Sequence, residues 1–341
     1  MVKHRVSAIG VALAKLRLDP YILSLLATVA IASLLPARGG WAAVLNYVTT
    51  IAIGFLFFLY GARLSTEEAL DGMRQWRLHA VALSSTYILF PALGIAARLL
   101  VPTVLTPELY AGVMFLCCLP STVQSSIAFT SIARGNVAAA ICDASFSNLL
   151  GIVLTPALVA VLLVTKYGGV SVGSIRDIML QLMVPFVAGQ LMRRWIGGFV
   201  TRNKKMLGLV DRGSILLVVY SAFSAGVVAG IWGRLTPVSL IALAGVNIVL
   251  LATVICATTW TARNFGFRRE DEITIVFCGS KKSLASGIPM ATVLFSAQTV
   301  GLVVLPLMLF HQIQLMTCAW LARRYAHRTA DLPAVVAETR Q

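Results

Sequence analysis

The sequence predicts an all-α, polytopic membrane protein of ten transmembrane helices in two inverted five-helix repeats. Three observations carry this reading. Apolar runs of about 20 residues recur along the chain, the length a helix needs to cross a bilayer. Charged residues make up 12% of the composition, where a soluble protein carries about 25%, and the mean hydropathy is +0.87. The basic residues are strongly biased to alternate loops.

The spans fall at about 20–36, 43–63, 78–101, 109–133, 137–165, 175–196, 208–230, 237–260, 271–295 and 299–322. The first follows Lys15 and Arg17 and lacks a small-residue cleavage site, so it reads as a retained helix. Pro36, Pro102 and Pro237 sit at span ends, where a missing N–H costs little. Pro91, Pro156, Pro185 and Pro306 fall inside spans and are expected to kink them. Ser65 and Glu68 fit a capping box on a short amphipathic helix. Residues 1–165 are read as the first repeat, 166–174 as a linker through Lys166-Tyr167-Gly168-Gly169, 175–324 as the second repeat, and 325–341 as a polar cytoplasmic tail.

Of the 28 basic residues, 21 lie in segments on the same side as the N-terminus and 5 on the opposite side, with Lys281 and Lys282 left over. Lysine and arginine are retained in cytoplasmic loops, so both termini are placed in the cytoplasm of a plasma (inner) membrane. The net charge of +15 therefore reports topology, and nucleic acid is not expected as a partner. The six cysteines all lie in apolar runs and read as packing residues rather than disulfides or metal ligands.

Two spans are interrupted. The fourth carries Cys118-Leu119-Pro120-Ser121-Thr122-Val123-Gln124-Ser125-Ser126, and the ninth carries Gly279-Ser280-Lys281-Lys282-Ser283-Leu284-Ala285-Ser286-Gly287. Irregular backbone at membrane depth is tolerated only inside protein or beside a water-filled cavity. Five spans per half is an odd number, so the halves must be inverted relative to one another. Broken helices at matching places in inverted halves point to a midplane transport site. The candidate substrate- or ion-binding residues are Ser121, Thr122, Gln124, Ser125 and Ser126 on the first break, and Ser280, Lys281, Lys282, Ser283 and Ser286 on the second. Asp143, an acid deep in an apolar run, is expected to pair with one of the lysines. One aspartate against two lysines leaves the site net positive, which suits an anionic substrate. Ser145, Ser147 and Asn148 read mainly as helix–helix glue, with Asn148 also kept as a site candidate. Asn247, His311, Gln312 and Gln314 read mainly as packing. No nucleophile–base pair, Walker loop or metal-ligand spacing appears, so no enzyme chemistry, cofactor or metal is expected.

The stretches Cys117-Cys118-Leu119-Pro120-Ser121-Thr122, Ala133-Arg134-Gly135-Asn136-Val137-Ala138, Ser147-Asn148-Leu149-Leu150 and Phe277 to Ala291 resemble the bile acid:sodium symporter superfamily, and within it the SBF-like branch. The resemblance implies a panel domain packed on a core domain, whose fourth and ninth helices are broken and cross. It implies alternating-access symport of an organic anion with sodium. The sequence departs from that pattern at the sodium ligands. The family's glutamate and glutamine on the ninth helix align with Ser280 and Leu284, its third-helix glutamine with Thr86, and its serine and threonine after the fourth helix with Ala140 and Ala144; the serine–asparagine pair at the fourth break corresponds to Ser125-Ser126. Thr86 therefore joins the candidate residues. Lys281 or Lys282 is expected to replace a sodium ion, with protons as the alternative coupling ion to sodium. The other function in view is a non-transporting membrane regulator of ion (calcium) homeostasis, because eukaryotic members of the branch resemble regulators of calcium entry.

Overall fold

The computed structural model describes residues 20–63, 75–164, 172–228, 230, 233, 236–296 and 298–330. The Ser65–Glu68 capping box, the Lys166–Gly169 linker and the tail beyond residue 330 lie outside them.

The described residues are helical and contain no strand. In order they form α1 (Pro20–Leu34), α2 (Gly40–Arg63), α3 (Trp76–Leu100), α4 (Pro107–Cys118), α5 (Gln124–Ile132), α6 (Val137–Val159, continued by a π turn over Ala160–Val164), α7 (Val172–Arg202), α8 (Lys204–Val228), α9 (Pro237–Asn264), α10 (Arg269–Gly279), α11 (Leu284–Leu294) and α12 (Val300–Ala330). Six are long and apolar enough to cross a membrane: α2, α3, α6, α8, α9 and α12. Where a start is capped, the cap is a side-chain oxygen: Thr106 accepts from the Leu109 N–H, Asn136 from Ala139, and Thr236 from Ser239. Thr106 and Thr236 each precede a proline at the first helical position, where no N–H is needed.

The packing separates two groups of helices. In one, α2 lies along α7, and α1 and α2 both lie against α8. The α2–α7 contact is made backbone to backbone. A Cβ on Gly189 would stand 1.9 Å from the Phe58 carbonyl oxygen, and one on Gly61 would stand 2.0 Å from that of Phe186. Only glycine fits at either place. In the other group α3, α4, α5, α6, α9, α10, α11 and α12 pack together, around fully buried Phe90, Phe115, Phe277 and Phe310. The two groups meet where α7 touches α6 and where α8 touches α11 and α12.

Of the internal prolines, Pro91 has the largest consequence. It is preceded by a π turn at Ser85–Leu89, in which the Phe90 N–H donates to the Ser85 carbonyl five residues back. In that register the next donor, to Thr86, would be residue 91, and proline has none. Pro185 and Pro306 sit within continuous helices. The cysteines form no disulfide; Cys117, Cys118, Cys278 and Cys318 are buried, while Cys256 is exposed.

Candidate functional site

The two breaks cross each other. Pro120 stops α4 because its ring has no N–H and forces the preceding residue out of helical geometry, leaving Leu119 extended. The second break follows Gly279. It ends at Ser283, an extended residue whose hydroxyl caps α11 by accepting from the Ser286 N–H. The Ser283 N–H donates to the Pro120 carbonyl at 2.8 Å, a direct main-chain tie between the breaks.

A helix that ends inside protein must find partners for its last carbonyls. At the end of α4 these partners are side chains. The Lys282 ammonium donates to Cys117 O at 2.9 Å and Leu119 O at 2.7 Å. Thr155 Oγ1 donates to Cys118 O, and Asn148 Nδ2 donates to Ser121 O. At the end of α10, hydroxyls do the same work. Ser126 Oγ serves Phe277 O, Ser121 Oγ serves Cys278 O at 2.6 Å, and Ser85 Oγ serves Gly279 O. Each break thus closes the open end of the other.

Lys282 has a third acceptor, the Thr86 carbonyl at 2.8 Å, which Pro91 leaves without a main-chain donor. Its ammonium also lies 4.1 Å from the centroid of Phe90. Three carbonyl oxygens, two of them at the negative end of α4, and an aromatic face form a cradle for a positive charge. Gln314 fixes the backbone of the same residue, accepting from Lys282 N and donating to Lys282 O. Lys281 is held more lightly. Its ammonium donates to Ser125 O at 2.7 Å and faces Phe129 and Phe277 at 4.2 and 5.3 Å. Both lysines are 0% exposed, so the crossing is closed over in this conformation.

Of the residues singled out in the sequence, Thr86, Ser121, Ser126, Asn148, Lys281, Lys282, Ser283 and Ser286 converge on this crossing. Asn148 is central, since Ser286 Oγ donates to its Oδ1 at 2.8 Å while its amide nitrogen serves Ser121 O and Ala144 O. Thr122, Ser125 and Ser126 form a hydroxyl cluster along the start of α5. The Ser280 hydroxyl turns back to Val276 O in its own helix, and the Thr86 hydroxyl to Ala82 O. Gln124 is exposed.

Asp143 corrects the expected lysine pairing. Its Oδ1 lies 3.3 Å from Nδ1 of His79, and neither lysine ion-pairs with a carboxylate among the described residues. The lysine charges are met by carbonyl dipoles and aromatic faces instead. Sequence reasoning did not single out His79, Ser85 or Thr155, and it read Gln314 mainly as packing. His79 stands at the start of a span, where it reads as interfacial, and Gln314 looks like one more amide in an apolar helix.

Comparisons with known proteins identify the family. The chain matches the model of the SBF-like CPA transporter family over residues 19–327. It is 56% identical over 321 residues to "Uncharacterized protein PA2026" of Pseudomonas aeruginosa, covering 94% of this chain and 96% of that protein. It is 53% identical over 317 residues to "Putative symporter YfeH" of Escherichia coli, covering 93% and 96%. It is 29% identical over 314 residues to "Sodium/bile acid cotransporter 7" of Xenopus tropicalis, covering 89% and 90%. With its apolar helices and its broken, crossing core, this multi-pass membrane protein belongs to the SBF-like CPA transporter family, within the bile acid:sodium symporter superfamily.

Proposed function

We propose that the protein is a secondary active transporter that moves a small organic anion by alternating access, with its site at the crossing of the two breaks. The observation that carries this reading is the reciprocal closure of the breaks, with two ammonium groups held between helix ends. An electropositive centre built on half-helices suits an anion on one side and a rocking movement on the other. Packing supports the ten-helix inverted repeat. The contact of α1 with α8 has its counterpart in α7 with α2, that of α3 with α6 in α9 with α12, and that of α4 with α12 in α10 with α6. The α1, α2, α7 and α8 group then corresponds to the panel and the remainder to the core. Both termini lie on the cytoplasmic side of the inner membrane.

Lys282 supports a reading of the coupling ion. A sodium ion needs several oxygen ligands, and here three carbonyl oxygens at 2.7–2.9 Å are taken by a tethered ammonium. Sodium is replaced by a fixed cation, and coupling falls to protons. The regulator reading has one observation in its favour, the internal hydrogen bonding that ties the breaks to each other, which a static receptor would also show.

The test is thermal stabilisation of the purified protein by a panel of organic anions, with sodium or choline, at two pH values. A ligand that binds the folded state raises its stability with occupancy. An anion-dependent, sodium-independent rise, matched by uptake of that anion into proteoliposomes, is the expected result. A rise that requires sodium in the intact protein overturns the fixed-cation reading. Stabilisation with no uptake under any gradient overturns transport in favour of the regulator.

A further inference from the structure

We infer that His79 and Asp143 form a proton-binding site whose occupancy is transmitted to the break between α10 and α11. The inference rests on the transport reading above and places the coupling proton on a pair that pairs with neither lysine.

His79, in the first turn of α3, is 5% exposed, and Asp143 of α6 is the one carboxylate with no exposure among the described residues. They face each other at 3.3 Å, Nδ1 to Oδ1. A carboxylate buried for structure alone is best matched by a permanent cation, because an unbalanced buried charge costs several kcal/mol. Imidazole is not permanent; it gains and loses a proton near neutral pH. With one proton fewer the pair carries a net charge of −1, and with one more it is neutral. The added proton comes from water on one side and is returned on the other, with no other bond made or broken. Two groups this close take the proton as a unit.

The pair is also half-satisfied. His79 Nε2 is buried and has no hydrogen-bond partner, while Asp143 is also within hydrogen-bond reach of the Cys278 thiol. A pair serving only stability would be costly to leave so, whereas a pair that changes charge cannot be fully matched in both states. Among the described residues, no metal-binding cluster of three His, Cys, Asp or Glu includes it. Phe146 packs edge-on against the His79 ring at 5.6 Å. The other titratable groups acting on Asp143 are Tyr87 from α3 and Cys278 from α10, and Lys281 acts in turn on Cys278.

Transmission has a structural basis. A surface cavity of about 210 Å³ at the same end of α3 is lined by Gln75, Trp76, Leu78 and Asp271 among others, and His79 is not one of its lining residues. On the other side, Cys278 neighbours Asp143, and its carbonyl is the one held across the crossing by Ser121. A charge change at Asp143 acts where the two breaks are tied.

The test uses full-length protein in nanodiscs with isotope-labelled histidine, His79→Gln identifying the His79 signal. The His79 ring is expected to change between its neutral and protonated forms across a pH series, and to keep its neutral form throughout in Asp143→Asn. Amide exchange over residues 279–284, corrected for its chemical pH dependence, is expected to change over the same interval and to lose that change in Asp143→Asn and in His79→Gln. A ring that keeps one form, or titrates identically without Asp143, overturns the site. A ring that titrates while exchange at the break stays constant overturns the coupling. Neither readout needs substrate, so either failure leaves the transport reading to be judged by the anion and uptake measurements.

Discussion

Lys282 and Pro91 act on one atom. The ammonium donates at 2.8 Å to the Thr86 carbonyl, which the π turn assigns to residue 91 and which proline cannot serve. A kink residue in one half of the chain thereby creates an acceptor for a charge in the other. Pro91→Ala restores the N–H and offers Thr86 a main-chain donor. The cradle then loses an oxygen or shares it, at a cost of ~1–3 kcal/mol if the ammonium goes without. The expected outcome is a lower thermal midpoint than for Pro306→Ala, although both prolines lie in helices. An equal effect at the two positions would mean that Pro91 matters only as a bend.

The two lysines should differ. Lys282→Ala leaves three carbonyls without their ammonium and a space at the cradle, whereas Lys281→Ala removes one hydrogen bond and two aromatic contacts. If Lys282 stands in for sodium, Lys282→Ala is destabilised in choline and regains stability when sodium is added. The intact protein and Lys281→Ala show no such dependence. Thermal unfolding in the two salts checks this, and equal stabilisation of all three proteins by sodium would show that the ion binds elsewhere.

Asn148 joins both breaks at once, accepting from Ser286 and donating to Ser121 O. Asn148→Asp keeps the shape and removes the donors, turning a carboxylate towards two carbonyl oxygens. This change should cost more than Ser286→Ala. In a double-mutant cycle of Asn148→Ala with Ser286→Ala the pair should show a coupling of ~0.5–3 kcal/mol, the range for residues in direct contact. Additive effects would mean that the 2.8 Å contact contributes nothing to holding the breaks together.

Much of this arrangement can be read from the chain, for physical reasons. Apolar length sets the spans, and Pro120 and the Gly279–Lys282 run interrupt apolar stretches that would otherwise continue, so the breaks stand out. Side-chain pairing is not legible in the same way. Two lysines and one aspartate in apolar runs suggest an ion pair, but carbonyls freed at helix ends compete for the ammoniums and win. Those acceptors are invisible in sequence, because every residue has one. Pro91 shows the limit closely. Counting back four residues, as an α-helix requires, points to Tyr87, and only the π turn moves the vacancy to Thr86. Gln314 carries no signal of its own, since its role depends on facing the main chain of the break between α10 and α11.

The α2–α7 contact makes a sharper steric prediction. Gly189→Ala places a methyl 1.9 Å from the Phe58 carbonyl oxygen, a distance that requires the helices to separate. Gly198, on the same helix, has nothing within 4 Å of an added Cβ. Gly189→Ala is expected to lower the yield of folded protein severely. Gly198→Ala should be neutral or stabilising by up to ~1 kcal/mol, from the better helix propensity of alanine. Size-exclusion profiles and thermal midpoints distinguish them, and similar behaviour of the two variants would disprove the close backbone approach.

Arg134 offers the opposite case, a residue whose backbone would favour glycine. Its φ is +60°, in the left-handed region, just after α5, and it is followed by Gly135. A side chain there costs ~1–2 kcal/mol. The neighbouring glycine cannot be exchanged for it, because a Cβ at Gly135 would meet Ile273 at 2.6 Å. Arg134→Gly relieves the strain but loosens the unfolded chain, so the net gain expected is somewhat under ~1 kcal/mol, with no change in anion binding. Thermal unfolding measures the first and the anion panel the second. If Arg134→Gly is instead less stable, or binds anions more weakly, the guanidinium makes an interaction worth more than the strain. Weaker anion binding, and not lower stability alone, would count the arginine with the lysines as part of the charge that the substrate meets.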